Sequence, residues 1–151
     1  VYFIDRQKIE LTLQHMEKQL TLFKQTGSWE SPLEKAALER ISMTIIEAIL
    51  DVGNAMIDGF IMRDPGSFDD IIDILEDEKV ITAEIANGLK QVIKQRKMLV
   101  QQYINVNHEA IIAVFHAQFS HLAAYSSKIR YYLTNELGPV SAFKSEGSNK
   151  Q

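Results

Sequence analysis

Cysteine is absent from the 151 residues, which excludes disulfides and any zinc or iron–sulfur centre held by thiolates. No apolar run approaches the roughly 18 residues needed to span a bilayer. The amino end, VYFIDRQKIE, is charged and amphipathic, unlike the basic stretch followed by an apolar one that marks a signal peptide. The expectation is a cytoplasmic chain with no membrane segment. Glu-x-x-His pairs, which a carboxylate-bridged di-iron bundle needs on its inward faces, do not occur. Nor does a glycine-rich phosphate loop, and GSWES lacks the surroundings of a nucleophile elbow. No metal or cofactor is expected. The net charge of −4 argues against gripping nucleic acid by bulk charge, while leaving room for a local basic patch.

Strand-like alternation, internal repeats and domain-splitting linkers are missing too, so what organises the chain is helical periodicity. With 46% hydrophobic residues it suits one domain with a proper core. A first helix is read from about Ile4 to Gln25, broken by TGSWESP. Ser31 caps a second, with Pro32 in its first turn and Glu34 three residues on, and this helix runs to about Met62, where RDPG stops it. Ser67 opens a short acidic helix, SFDDIIDILEDE, with Asp70 completing the capping pattern. Thr82 caps a fourth that reaches about Gln102. A fifth runs from about Asn107 to Leu137, closed by Gly138 and Pro139. The prediction is an all-α bundle of about five helices, two of them long and central. One domain spans residues 1–143, and residues 144–151, KSEGSNKQ, form a flexible tail.

Two features carry chemistry. The second helix is apolar on most sides, yet Arg40, Thr44, Glu47, Asp51, Asn54 and Asp58 recur at steps of four and three and trace one polar stripe. A solvent-facing seam is the simple reading; a surface meeting a cation or a partner is the other. In the fourth helix Arg96 shares spacing with Leu89, Val92, Ile93, Leu99, Val100 and Tyr103, which turns it toward the bundle. A guanidinium stays charged, so it needs an acidic partner or an anionic ligand, and Glu47 or Asp51 is expected within ion-pair reach. An ion pair that merely keeps the fold in register explains the same residues. Lys90, Lys94 and Lys97 form a separate basic stripe that would suit RNA, or would simply be a solvated face. The acids Asp69, Asp70, Asp73, Glu76, Asp77 and Glu78 read as a solvated surface. Tyr125 and Tyr132 share helical spacing that would suit a dimer seam, and Trp29 would staple the first two helices.

RKMLVQQY resembles the R-x4-H-x-Y motif of HepT-like proteins, a branch of the HEPN superfamily of all-helical, usually dimeric domains. The opening YFIDRQKIE, the segments LERI and IIEAILDVGN, and VIT before the motif helix match in order, so the resemblance covers nearly the whole chain. GFIMRDPGSFDDIIDILEDEKVIT and LGPVSAF are similar to a HepT-like group from Gram-positive bacteria. The resemblance implies a homodimer of metal-independent RNA endonuclease lineage, a toxin paired with a nucleotidyltransferase antitoxin. It gives Arg96 the phosphate-stabilising role and makes Tyr103 the acceptor of adenylylation. RNA carries its own nucleophile, so a cation and an acid–base group suffice for such chemistry.

Gln101 stands where that motif has histidine. An amide donates and accepts hydrogen bonds but does not titrate near neutral pH, so it holds a phosphate or hydroxyl without moving a proton. General acid–base assistance contributes roughly two to four powers of ten in rate, which this chain is expected to forgo. Of His15, His108, His116 and His121, only His108 is near the motif in sequence, and it reads as a surface residue at a helix start. Three functional readings stand: an attenuated ribonuclease toxin, a non-catalytic RNA- or nucleotide-binding dimer, and a structural dimer with an arginine–carboxylate network.

Overall fold

Small oxygen-bearing side chains open five of the helices, and each accepts the backbone N–H that it should. In the computed structural model, which describes residues 4–138, Asp5 caps α1 (Arg6–Gln25) and Ser31 caps α2 (Pro32–Gly59). The α2 cap is reciprocal: Glu34 N–H donates to Ser31 Oγ at 3.1 Å, and Ser31 N–H to Glu34 Oε1 at 2.9 Å. Ser67 caps α3 (Phe68–Asp77), Thr82 caps α4 (Ala83–Ile93) and Asn107 caps α6 (His108–Ala117). The remaining helices, α5 (Arg96–Gln101) and α7 (Phe119–Leu137), follow their predecessors almost directly and have no side-chain cap.

The described residues thus hold seven helices rather than about five, because two expected helices are each divided. In the fourth, Gln95 N–H turns to the Val92 carbonyl at 3.1 Å, one tightened turn that lets α5 lie on α2 while α4 packs on α3, α6 and α7. The fifth, expected to be the second long central rod, divides at Gln118. There Gly88 of α4 admits the Gln118 and His121 side chains so closely that an added Cβ would stand 2.5 Å from Gln118 Oε1. Neither break contains glycine or proline. The second helix also stops earlier than RDPG, at Gly59. Ile61 takes φ 56°, its N–H donates to Asp58 O at 3.4 Å, and Met62 N–H donates to Ile57 O at 2.9 Å, a Schellman ending. Gly138 closes α7 at φ 85°, as expected. Pro139, the rest of LGPVSAF and the tail 144–151 lie outside the described residues.

Helix α2, about 42 Å long at 1.5 Å per residue, is the central element and touches α1, α3, α5 and α6. Leu38, Ile45, Ile46, Ile49, Met56 and Ile57 are all buried along it. Each such side chain contributes roughly 1.5–3 kcal/mol of burial. Tyr125 of α7 is completely buried and donates to the Ile49 carbonyl at 2.8 Å, so it belongs to this core and lines no dimer seam. Burial pushes its hydroxyl well above the usual tyrosine range. Trp29 stacks on Phe23 of α1 with centroids 5.9 Å apart. Arg130 of α7 clasps α1 by donating to Glu10 and Glu17 over 2.7–2.9 Å from all three of its nitrogens. Among the described residues no helix is long and apolar enough to cross a membrane.

Candidate functional site

The break before α5 decides what Arg96 does. It is the first residue of that short helix, and α5 rests on α2, so the side chain crosses to the polar stripe. Nε donates to Glu47 Oε1 at 2.8 Å. The guanidinium carbon stands 4.5 Å from the centroid of the Phe68 ring, at the first position of α3. The side chain is 27% exposed and that of Glu47 is 39% exposed, so the pair is open to solvent rather than interior. The expected carboxylate is therefore Glu47, in the same chain. Asp51, one turn further along α2, is exposed and borders a cavity of about 250 Å³ with Asn54 and with Asp5, Lys8 and Thr12 at the α1 end.

The two arginines that meet glutamates are used differently. Arg130 commits Nε and both terminal nitrogens to carboxylates. Arg96 commits Nε alone, and its two terminal nitrogens have no hydrogen-bond partner among the described residues. A guanidinium anchored through Nε, with an aromatic ring beside its carbon, presents its two terminal nitrogens as a fork, the geometry that takes a phosphate in two parallel bonds.

Gln101 ends α5 and is exposed; Tyr103 lies in the following turn, 68% exposed. Val100 and Ile104 are exposed as well, so the apolar face that Arg96 shares in sequence is covered at Leu89, Val92, Ile93 and Leu99 and open beyond them. Lys90 is ion-paired with Asp73, whose carboxylate holds the ammonium above the usual lysine range. Lys90 and Lys94 border a cavity of about 380 Å³ together with Asp69, Asn87, Gln91 and Gln95, and Lys97 is not part of it. The acidic face of α3 thus offsets part of the lysine stripe, and the turn at Gln95 divides it.

Sequence reasoning missed two partners. Glu39 Oε2 lies 2.7 Å from His108 Nε2, so the first residue of α6 is tied to α2 and is not plain surface. Glu39 precedes Glu47 by eight residues, about 12 Å along α2, which sets the imidazole pair well apart from the arginine pair. Phe68 is the other, since an aromatic at a helix start gives no sign of lying under a distant arginine. The other histidines serve elsewhere: His116 packs on Phe23 and His121 bonds Gln118, while His15 is exposed on α1.

The sequence profile of the family described as Ribonuclease HepT-like matches residues 8–129. A protein of Bacillus subtilis (strain 168) named "Putative RNase YutE" is 52% identical over 144 residues, 95% of this chain and 100% of the relative. A solved structure described as a cytosolic protein of unknown function, YutE from Bacillus subtilis, superposes with TM-score 0.91 at 51% identity, covering 94% of this chain and 99% of that one. A structure described as a tri-AMPylated Shewanella oneidensis HEPN toxin in complex with MNT antitoxin shares the fold, with TM-score 0.73 at 17% identity over 82% of this chain and 96% of the other. The chain belongs to the Ribonuclease HepT-like family, within the HEPN superfamily.

Proposed function

We propose that this chain is a homodimeric HepT-like protein of metal-independent RNA endonuclease lineage, in which Arg96 binds an RNA phosphate and cleavage is reduced or lost. The observation that carries this reading is the guanidinium fork, anchored through Nε by Glu47 and otherwise uncommitted. Such a group stabilises charge on phosphate, and its partial exposure leaves it within reach of a polymer. Gln101 supplies a hydrogen bond at the motif position but no proton, so rate falls by roughly two to four powers of ten relative to a histidine there. Lys94 and Lys97, both exposed, add local positive charge to a chain whose net charge is negative.

Tyr103 is the proposed acceptor for adenylylation by a nucleotidyltransferase antitoxin. Its exposure supports this, as does the fold shared with a HEPN toxin described as AMPylated and bound to its MNT antitoxin. An adenylyl group would bring bulk and negative charge to the exposed turn that follows the Arg96 helix. Ile104, 83% exposed, adjoins Val100 and Tyr103 in an apolar patch of the kind that a second copy covers.

An RNA-cleavage assay on wild type, Arg96→Ala and Gln101→His tests the reading. Feeble or absent wild-type cleavage, gain in Gln101→His, and loss of RNA affinity in Arg96→Ala are expected. Robust wild-type cleavage would overturn the role given to Gln101. RNA affinity indifferent to Arg96 would leave a structural dimer whose arginine–glutamate pair only keeps the helices in register.

A further inference from the structure

The segment RDPGSFDD, which the family motif does not include, carries an aromatic ring that the core does not use. Phe68 is 47% exposed and is not among the side chains packed against the buried cluster. What it touches is Arg96, whose guanidinium carbon lies 4.5 Å from the ring centroid. The backbone that carries Phe68 is held unusually well for a surface turn. Both terminal nitrogens of Arg63 donate to the Asp70 carboxylate at 2.8 Å, and Gly66 N–H donates to the same group at 2.9 Å. Asp70 N–H in turn donates to Ser67 Oγ at 3.0 Å, which starts α3 at the aromatic residue.

We infer that Phe68 is a positioning residue for Arg96: the latched turn sets the ring under the guanidinium, and with Glu47 it holds the free fork toward an incoming phosphate. A hydrogen bond to Nε fixes one edge of a guanidinium but leaves its plane free to rotate about that bond. A ring 4.5 Å from the guanidinium carbon limits that rotation, because cation and π face attract. Together the two contacts define both the position and the plane of the donors, which a bidentate bond to phosphate requires. Arg63 acts one step further back, through the turn.

This inference rests on the reading of Arg96 as the phosphate-binding group, and the test separates the two. Binding of a fluorescein-labelled oligouridylate is measured by anisotropy for wild type, Phe68→Leu, Phe68→Tyr, Arg96→Ala and the Phe68→Leu/Arg96→Ala double variant, each checked for unchanged helicity. Phe68→Leu is expected to weaken binding about two- to fivefold, and Phe68→Tyr to keep wild-type affinity, since its ring presents the same face. In the Arg96→Ala background Phe68→Leu is expected to do nothing more, because a positioning residue has nothing left to position. An equal loss in both backgrounds would overturn the inference and make Phe68 an independent RNA contact. Loss on Arg96→Ala with none on Phe68→Leu would overturn it while leaving the phosphate reading intact. No loss on Arg96→Ala would overturn the phosphate reading, and the inference with it.

Discussion

Glu47 combines two effects that substitution separates. Its Oε1 accepts the 2.8 Å bond that orients Arg96, and its charge repels whatever phosphate the same arginine holds. Glu47→Gln keeps an acceptor oxygen and deletes the charge, whereas Glu47→Ala deletes both. A phosphate on the free end of the guanidinium would stand about 6 Å from the carboxylate, where two unit charges interact by about 0.7 kcal/mol in water. Removing that repulsion tightens RNA binding about threefold at low salt, and less than about twofold at 0.15 M, where the Debye length is about 8 Å. Glu47→Ala gains the same relief but leaves a long side chain to be ordered on binding, worth roughly 0.5–1.5 kcal/mol. It therefore binds about two- to tenfold more weakly than Glu47→Gln. With side chains 27% and 39% exposed, the ion pair adds little stability, and either variant should shift the thermal midpoint by no more than about 4 °C. Anisotropy titrations at two salt concentrations, beside thermal melts, check all of this. A glutamine variant that binds more weakly than wild type, or one equal to the alanine variant, would refute the separation of charge from orientation.

Other outcomes follow from the same geometry. Arg130→Met should lower stability by about 1–2 kcal/mol, since two bidentate but partly exposed pairs are lost, and the melting midpoint by about 2–8 °C. The Arg130 guanidinium holds the Glu10 carboxyl below its usual 4.5, so the part of this contribution due to Glu10 is complete above about that pH. It is lost as pH falls through the lowered folded value, and melts of the two proteins in acid should converge. Ile61→Gly should stabilise by about 0.5–1 kcal/mol, because a β-branched residue is strained at φ 56° and its side chain is mostly exposed; denaturant unfolding reads the gain. His108→Asn should leave cleavage by the Gln101→His variant within about twofold, given the roughly 12 Å between the imidazole and arginine anchors along α2. A loss of tenfold or more would mean that the Glu39–His108 pair reaches the reacting phosphate.

The helix starts at Ser31, Ser67, Thr82 and Asn107 were legible because a cap is a local hydrogen bond between residues three apart. The breaks at Gln95 and Gln118 were not, because no residue there disfavours a helix; they follow from where α5 can lie on α2 and from the space over Gly88. Arg96 with Glu47 was half legible. Charge balance demanded a carboxylate, but the choice of Glu47 over Asp51 depends on which turn of α2 faces α5. The degree of burial was misjudged, since the apolar face around Arg96 is open at Val100 and Tyr103.

Taken alone, the amino-acid order determined an all-helical, thiol-free chain, the family motif and the exchange of histidine for Gln101, since each is a matter of periodicity, composition or residue identity. Only the tertiary structure decided that, among the described residues, Arg96 keeps both terminal nitrogens free of hydrogen bonds while Arg130 commits all three of its nitrogens. It also put Phe68 beneath the former and Glu39 beside His108. Those pairings join residues 28 to 120 positions apart, counting Phe68 to Arg96 and Glu10 to Arg130 as the extremes. No local propensity links positions so remote, and only the packing of helices along α2 and α7 brings them together.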